Sequence, residues 1–296
     1  MGEFKDKVVI VTGAGRGIGR EHALAFARRG ARLVVNDLGT STDGVGRDKL
    51  ADAVVNEIRA AGGTAVANYN SVADKAEAKA IVDQAVAEFG SVDILINNAG
   101  ILRNRTFKNT PVEDLELVMR VHLLGTCYVT HAVWPIMYAN NYGRIVLTSS
   151  VFGIHGAFGQ SVYGAAKMGM LGLMNCLALE GKAHNVHVNC VAPGADTRMT
   201  ALIKGSGIDA DAPRPTMHPK LVAPAVLYLA SEAGPSGVVI HAVGNSYFRT
   251  ETIANPGITL GTDATYEDLA ARADQLLDLS DYEVRGEGWE FDAYDF

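Results

Sequence analysis

The sequence has few cysteines, no long apolar run and no excess of positive charge. Its three cysteines, Cys127, Cys176 and Cys190, are far apart and lie among apolar neighbours. We therefore expect reduced thiols, with no disulfide framework and no metal site. No apolar stretch approaches the length that spans a membrane, and the first residues enter a strand without the pattern of a signal peptide. These absences predict a cytoplasmic protein with no membrane partner.

The charge is negative and unevenly distributed. The 296 residues carry a net charge of −7, which argues against a nucleic-acid partner. Residues 262–296 hold eleven acidic residues and two arginines, so the rest of the chain is slightly positive. Four aromatic residues that alternate with acidic residues at the end of this segment argue against complete disorder: Trp289, Phe291, Tyr294 and Phe296. We predict one domain at 1–255, followed by an acidic tail at 256–296.

Strand-like and helix-like segments alternate from the first residues onward. Val8 to Thr12 is a continuous apolar run, which is typical of a strand buried on both faces of a parallel sheet. Further strands are expected at 32–37, 64–68, 92–97, 144–148, 186–192 and 237–243. Helices are expected near 18–29, 49–61, 74–89, 111–139, 163–183 and 221–231. This alternation predicts an α/β fold with a single doubly wound parallel β-sheet of the Rossmann type and helices on both faces.

Two of these helices are apolar nearly all round, at 115–137 and 168–179. A helix on the outside of a sheet needs only one apolar face, so a second apolar face must be covered. We expect a homo-oligomer interface there, in a dimer or tetramer. A buried central helix is the alternative.

A glycine cluster lies where the first strand gives way to a helix. Residues 12–19 read TGAGRGIG, and glycines at this place let backbone N–H groups approach a pyrophosphate at a helix N-terminus. Asp37, at the end of the second strand, is placed to bind ribose hydroxyls and to repel a 2′-phosphate. Arg16 argues the other way, since it is able to pair with a phosphate. We favour NAD over NADP because Asp37 should lie at the ribose itself.

A serine, a tyrosine and a lysine follow the fifth strand. Ser150 comes just after the apolar run Arg144 to Thr148, whereas Tyr163 and Lys167 are four residues apart on a predicted helix. A lysine beside a phenol favours the phenolate, so Tyr163 becomes able to exchange a proton with an alcohol or ketone near neutral pH. Ser150 is able to hydrogen-bond the same substrate oxygen.

These motifs together resemble the short-chain dehydrogenase/reductase family. The resemblance rests on TGAGRGIG at 12–19, NNAG at 97–100, Ser150 and YGAAK at 163–167, and it extends over about 7–245. Within the family, the segments VVNDLG, NNAGILRNRTF, RVHLLG and YGRIVLTSSVFGIHGAFGQSVYGAAK are similar to one subgroup. That subgroup is the (3R)-hydroxyacyl-CoA dehydrogenase domain of the multifunctional enzyme type 2, with its free-standing bacterial relatives.

The resemblance implies a role for each motif residue. Tyr163 would be the general acid/base, Lys167 would lower its pKa and hold the nicotinamide ribose, and Ser150 would orient the substrate oxygen. His122 stands where the family usually has a catalytic asparagine. It would either help to relay protons to Lys167 or have a structural role. The residues expected to contact the cofactor are Gly13, Arg16, Gly17, Ile18, Gly19, Asp37, Leu38, Ser71, Val72, Asn98, Ala99, Gly100, Tyr163, Lys167, Pro193, Ala195, Asp196 and Thr197.

Substrate choice in such a fold depends on loops beyond the strand ends. The candidate substrate residues are Ser150 and four residues of the loop at 152–160: Phe152, His155, Phe158 and Gln160. For the four loop residues, substrate contact and ordinary packing are equally open. A longer loop near 196–220 carries Arg198, Lys204, Arg214 and Lys220, which would either meet CoA phosphates or form a solvated basic surface.

Three functions remain open from the sequence. The first is an NAD-dependent dehydrogenase of a secondary alcohol, with a 3-hydroxyacyl-CoA as substrate. The second is the same chemistry on a bulky apolar alcohol, such as a hydroxysteroid or terpenoid, which an acidic tail near the active site would favour. The third is a non-catalytic NAD-binding regulator, against which the intact Ser150, Tyr163 and Lys167 argue.

Overall fold

The computed structural model describes residues 2–46, 48–202 and 207–284. It divides into two compact units, Met1–Arg249 and Thr250–Phe296. The division falls slightly earlier than the boundary at residue 255 that the sequence suggests.

The first unit is built on one eight-stranded sheet. Seven strands run parallel, and the order across the sheet is β3-β2-β1-β4-β5-β6-β7-β8. The order reverses beside β1, which creates a crevice at the carboxyl ends of β1 and β4. The strands are β1 (Val8–Thr12), β2 (Arg32–Asn36), β3 (Thr64–Asn68), β4 (Ile94–Asn97), β5 (Gly143–Thr148), β6 (Val186–Gly194), β7 (Val239–Val243) and β8 (Ser246–Thr250).

Helices cover both faces of the sheet. Successive strand residues point to opposite faces, so Val9 and Val11 pack on one side while Val8 and Ile10 pack on the other. Helices α1, α2 and α9 close the first core, and α3, α5 and α7 close the second. The helices of this unit are α1 (Gly17–Ala27), α2 (Leu50–Ala60), α3 (Lys75–Phe89), α4 (Val112–Met119), α5 (Gly125–Asn140), α6 (Val151–His155), α7 (Ser161–Gly181), α8 (Arg198–Ala201) and α9 (Ala223–Leu229).

The predicted α/β fold is confirmed, with three local differences. The helix expected at 111–139 is interrupted by a π-helical turn at Arg120–Leu124, which separates α4 from α5. The short helix α6 forms inside the loop expected at 152–160, since Ser150 caps its first turn by accepting from the Phe152 N–H at 3.1 Å. The sequence does not predict strand β8, because four of its five residues are exposed and lack the apolar pattern of the buried strands.

Helix α7 has an exposed apolar side. The stretch Ser161–His184 is, among the described residues, the one helix long and apolar enough to cross a membrane by length and composition alone. Core helices of soluble folds satisfy the same criterion. Met170 and Met174 of α7 are buried in the core, whereas Met168 and Leu179 are 46% and 59% exposed.

The second unit contains two short helices and a small sheet. The helices are α10 (Tyr266–Ala271) and α11 (Ala273–Leu277). Strands β9 (Ile253–Ala254) and β10 (Glu283–Val284) pair antiparallel. The four tail aromatics named above lie outside the described residues.

Candidate active site

The glycine turn between β1 and α1 is tightly packed. Gly13 has φ +64°, and a Cβ there would lie 2.7 Å from the Ala99 Cα. A Cβ on Gly19 would lie 2.2 Å from the Gly13 carbonyl oxygen. Side chains are therefore excluded where the backbone must turn into α1, and no side chain caps the N-terminus of that helix. Its first N–H groups are free to bind an anion.

The ends of β1 and β4 are tied together by side chains. The Asn98 amide donates to the carbonyl oxygens of Thr12 and Gly13, both at 3.0 Å. In return the Thr12 hydroxyl accepts from the backbone N–H groups of Asn98 and Ala99, at 3.0 and 3.1 Å. These bonds hold the glycine turn against the crevice of the sheet.

Asp37 lies at one wall of the crevice and braces the turn. Its two carboxylate oxygens accept from the N–H groups of Gly15 and Gly39, each at 2.7 Å. The cleft there has a volume of about 430 Å³, and Arg16, Asp37, Arg198 and Asp211 all line it. The pKa of Arg198 is lowered by burial and by the Arg16 charge, whereas the charges of Asp37 and Asp211 oppose that lowering. The turn, the uncapped helix and the two arginines fit the diphosphate of a dinucleotide.

A second cavity of about 300 Å³ contains the predicted catalytic residues. Ser150, Tyr163 and Lys167 all line it, and Gln160 and His122 lie in the same wall. Lys167 is buried and its ammonium group donates to the Thr148 carbonyl oxygen at 2.6 Å. The two cavities share five lining residues, which makes the dinucleotide cleft continuous with this pocket: Ile18, Asn98, Gly100, Thr197 and Met199.

The protonation of this pocket is set by burial. Burial raises the pKa of Tyr163, and a hydrogen bond with Ser150 opposes that rise. The expected lowering by Lys167 does not appear, because its Nζ lies 5.7 Å from the Tyr163 ring centroid and is directed to Thr148. Burial also lowers the pKa of Lys167 from 10.5 to about 8. Tyr163 therefore holds its proton at neutral pH in this form.

His122 lies in the π-helical turn and contacts both the backbone and Tyr163. Its Nε2 is 2.8 Å from the carbonyl oxygen and 3.2 Å from the nitrogen of Ile101, and its ring meets the Tyr163 ring edge-on at 5.2 Å. Burial, then the Lys167 charge, lower its pKa to about 3, so the ring is neutral. A Cβ on Gly100 would lie 2.4 Å from the His122 ring, which explains the glycine of NNAG. These contacts favour a positioning role.

The structure does not bring every predicted residue into these cavities. Neither His155 nor Phe158 is among the residues that line the two cavities, so substrate contacts of these two stay a prediction beside the packing alternative. Helix α6 carries His155 towards His241, with ring centroids 5.9 Å apart, and Phe158 is 94% exposed. Ser150, Phe152 and Gln160 do line the pocket.

The remaining cofactor candidates divide in the same way. The second cavity is lined by Asn98, Gly100, Tyr163, Lys167, Pro193 and Ala195. The residues of the glycine turn line the dinucleotide cleft. Neither cavity is lined by Leu38, Ser71, Val72 or Ala99. Contacts of those four with a cofactor stay a prediction.

Asp196 and Arg214 bind each other. Asp196 is buried, and Arg214 meets its carboxylate with Nε and Nη2, both at 2.9 Å, and with its backbone N–H. The hydrogen bond from Arg214 holds the pKa of Asp196 below its usual value. Arg214 is thus engaged within the protein rather than free for a CoA phosphate, whereas Arg198 lines the dinucleotide cleft. Lys220 is exposed, and Lys204 lies outside the described residues.

Sequence reasoning missed several pocket residues. Leu102, Met199, Thr200 and Val243 line the catalytic pocket, and Thr40, Ser41 and Thr42 line the dinucleotide cleft. Val243 is the last residue of β7 and the others follow the carboxyl end of a strand, which is the one signal that identifies them in the sequence.

A parallel sheet with a glycine turn at one strand end and a serine, tyrosine and lysine at another defines a dinucleotide-dependent oxidoreductase. The chain belongs to the short chain dehydrogenase family, whose model matches residues 7–205. Members of this family depend on a nicotinamide cofactor and act on CH–OH groups.

Relatives extend this result beyond the matched residues. A short-chain type dehydrogenase/reductase of Mycobacterium tuberculosis is 43% identical over 97% of this chain and 99% of its own. The peroxisomal multifunctional enzyme type 2 of Drosophila melanogaster is 51% identical over 78% of this chain, which spans only 37% of that enzyme. A crystal structure of a short chain dehydrogenase from Mycobacterium avium superposes with a TM-score of 0.81 at 39% identity, over 93% of this chain and 96% of that one.

Proposed function

We propose that this protein is an NAD-dependent dehydrogenase that interconverts a secondary alcohol and a ketone, with a 3-hydroxyacyl-CoA-type substrate. The observation that carries the proposal is the single pocket formed by Ser150, Tyr163 and Lys167, which opens into the dinucleotide cleft. Similarity to the multifunctional enzyme type 2 supports the substrate class, since the chain matches that enzyme at 51% identity.

The three side chains divide the proton chemistry. Ser150 binds the substrate oxygen, and Tyr163 donates a proton to a ketone or removes one from an alcohol. The Lys167 ammonium, held by the Thr148 carbonyl 2.6 Å away, stabilises the phenolate that forms when Tyr163 gives up its proton. A nicotinamide dinucleotide, when bound, supplies the hydride acceptor or donor.

Preference for NAD over NADP follows from Asp37. Its carboxylate lines the cleft where a ribose would lie, and it would repel a 2′-phosphate. Arg16 and Arg198 face the same cleft and would reduce this discrimination. We expect NAD to be preferred, with measurable turnover of NADP.

Replacement of Tyr163 by Phe tests the reaction. We expect Tyr163→Phe to lower kcat by about 10³-fold or more, because the proton donor is lost while the pocket keeps its shape. NAD binding, followed by fluorescence, should stay within about 2-fold of wild type. Retained turnover of 3-hydroxyacyl-CoAs would refute the assignment of Tyr163. Wild-type protein that binds NAD but turns over no alcohol would instead support the non-catalytic regulator.

A bulky apolar alcohol, such as a hydroxysteroid or terpenoid, is the second candidate. The pocket favours it in one respect, because much of its lining is apolar: Ile18, Leu102, Val151, Phe152, Met199 and Val243. Comparison of 3-hydroxyacyl-CoAs with uncharged ring alcohols, by absorbance of NADH, separates the two candidates.

We also propose that the protein is a cytoplasmic homo-oligomer. The three cysteines are free thiols, which supports a reducing compartment. The exposed apolar side of α7 supports self-association, with Met168 and Leu179 at its two ends.

A further inference from the structure

Gln160 has no hydrogen-bonding partner for its side chain in the described part of the chain. It is 7% exposed, and its Oε1 is buried without a partner. A primary amide has two donors and an acceptor, and burial of such a group without partners is unfavourable. Its Nε2 also has no partner among the described residues, but it is not one of the fully buried atoms, so the amide presents an open donor.

The position of Gln160 links it to the reacting atoms. It is the residue immediately before α7, three residues before Tyr163 and seven before Lys167, and all three side chains line the same pocket. Residues three or four apart on a helix lie about 5–6 Å apart at Cβ. The Gln160 amide is therefore close to the place where Tyr163 meets the substrate oxygen.

The rest of the pocket makes this amide distinctive. Within the described residues, two other buried polar atoms of this pocket lack partners, the Thr148 hydroxyl and the His122 Nδ1. His122 already binds the Ile101 backbone through its other nitrogen. The Thr148 side chain ends in a single hydroxyl, which is free to rotate. Of these three groups, Gln160 alone carries a primary amide, and it is the NH₂ end of that amide, not the Oε1, that is able to donate to a carbonyl.

We propose that Gln160 determines substrate specificity by donating a hydrogen bond to a second oxygen of the substrate, the carbonyl two carbons from the reacting alcohol. This inference rests on the proposed function and deepens it. The substrate class is then a 3-hydroxyacyl or 3-oxoacyl thioester, in which the reacting oxygen and the thioester oxygen are near enough to meet neighbouring side chains. An alcohol with a single oxygen leaves the amide unpaired.

A pair of substrates isolates this contact. The first is a 3-hydroxyacyl-CoA, and the second is the thioether with the same chain in which CH₂ replaces the thioester carbonyl. Wild type, Gln160→Leu and Gln160→Met are assayed on both with NAD. Because each variant is compared on two substrates in one preparation, the ratio of kcat/KM values does not depend on the amount of folded enzyme.

The expected result is a selective loss. Gln160→Leu and Gln160→Met should each lower kcat/KM for the thioester by about 10- to 100-fold, and for the thioether by less than about 3-fold. Met199→Leu, in the same pocket, serves as the control and should affect both substrates alike. Calorimetric binding of the 3-oxoacyl thioester and its thioether ketone to cofactor-free protein should show the same selectivity.

Three results would contradict the inference in distinguishable ways. Equal losses on both substrates would assign Gln160 a packing role and leave the proposed function intact. If the wild type prefers the thioether, the thioester oxygen does not contribute to binding, and Gln160 does not recognise it. Turnover of ring alcohols but of neither CoA derivative would refute the proposed substrate class, and this inference with it.

Discussion

At the scale of single residues, two buried imidazoles make the folded state sensitive to acid. His22 in α1 and His122 are both buried, and burial lowers the pKa of each from 6.5 to about 3. When the pH falls from 6.5 towards 3, these two imidazoles therefore bind protons in the unfolded chain but not in the folded chain. The stability that depends on neutral imidazoles is complete above pH 6.5 and is lost as the pH drops.

His22 allows this effect to be measured. Neither of its ring nitrogens has a hydrogen-bonding partner among the described residues, so it contributes nothing that an apolar side chain lacks. We expect His22→Leu to raise the free energy of unfolding by about 1–3 kcal/mol at pH 7.5. Between pH 7.5 and 5 it should also reduce the stability loss by about 2 kcal/mol. In wild type this loss arises because the unfolded-state His22 binds a proton over the 1.5 pH units below its pKa of 6.5, and each unit contributes about 1.4 kcal/mol.

Urea unfolding at both pH values, at constant protein concentration, provides the measurement. His131→Leu, at an exposed position on α5, is the control and should leave the pH dependence as in wild type. The same acid sensitivity in His22→Leu and wild type would show that the ring is not neutral and unpaired in the folded protein.

At the scale of elements, the segment after β6 depends on one ion pair between a buried aspartate and an exposed arginine. Asp196 and Arg214 tie the end of β6 to the segment before the 3₁₀ turn at Pro215–Met217, and the Asp196 N–H donates to the Met217 carbonyl at 2.7 Å. Residues 196–199 line the dinucleotide cleft. The pair therefore positions a wall of the site without touching the reacting atoms.

Removal of Arg214 should loosen that wall. We expect Arg214→Ala to lower kcat/KM by about 10-fold or more, mainly through higher KM for NAD, because it leaves a buried carboxylate unpaired. Arg214→Lys should restore part of the loss, since it keeps the charge but not the two-point geometry. Steady-state kinetics with varied NAD provide the measurement. Arg105→Ala is the control, because the Asp114 carboxylate that it leaves behind still pairs with Arg103; equal effects of Arg214→Ala and Arg105→Ala would contradict the prediction.

The central elements were predictable from sequence because their signals are local. Continuous apolar runs such as Val8–Thr12 mark parallel strands, and the glycine turn at 12–19 and the Tyr163–Lys167 spacing lie within one or two turns of chain. The pairing of Asp196 with Arg214 joins residues 18 apart across an irregular loop, and no periodicity indicates it. The glycine-rich composition of 152–160 predicts a loop for a related reason, whereas the Ser150 cap starts a helical turn at Val151–His155 that composition does not indicate.

At the scale of the whole molecule, the outer side of α7 is an apolar stripe. Ala165, Met168, Gly172, Cys176 and Leu179 are all exposed and recur at intervals of three or four residues. A Cβ on Gly172 would meet no atom within 4 Å, so another helix is able to approach closely there. We expect a second copy of this chain to cover the stripe, since a helix that packs on itself about a two-fold axis buries the same face on both copies.

A charge placed in the stripe tests this arrangement. In light scattering coupled to size exclusion, wild-type protein should have two or four times the monomer mass of 31.4 kDa. We expect the double variant Met168→Glu with Leu179→Glu to shift to the monomer mass, because two carboxylates on each copy would be buried against each other without partners. Val86→Glu, at a 38% exposed position on α3, should keep the wild-type mass. A monomeric wild type, or an oligomer that withstands the two glutamates, would show that α7 faces solvent in the working enzyme.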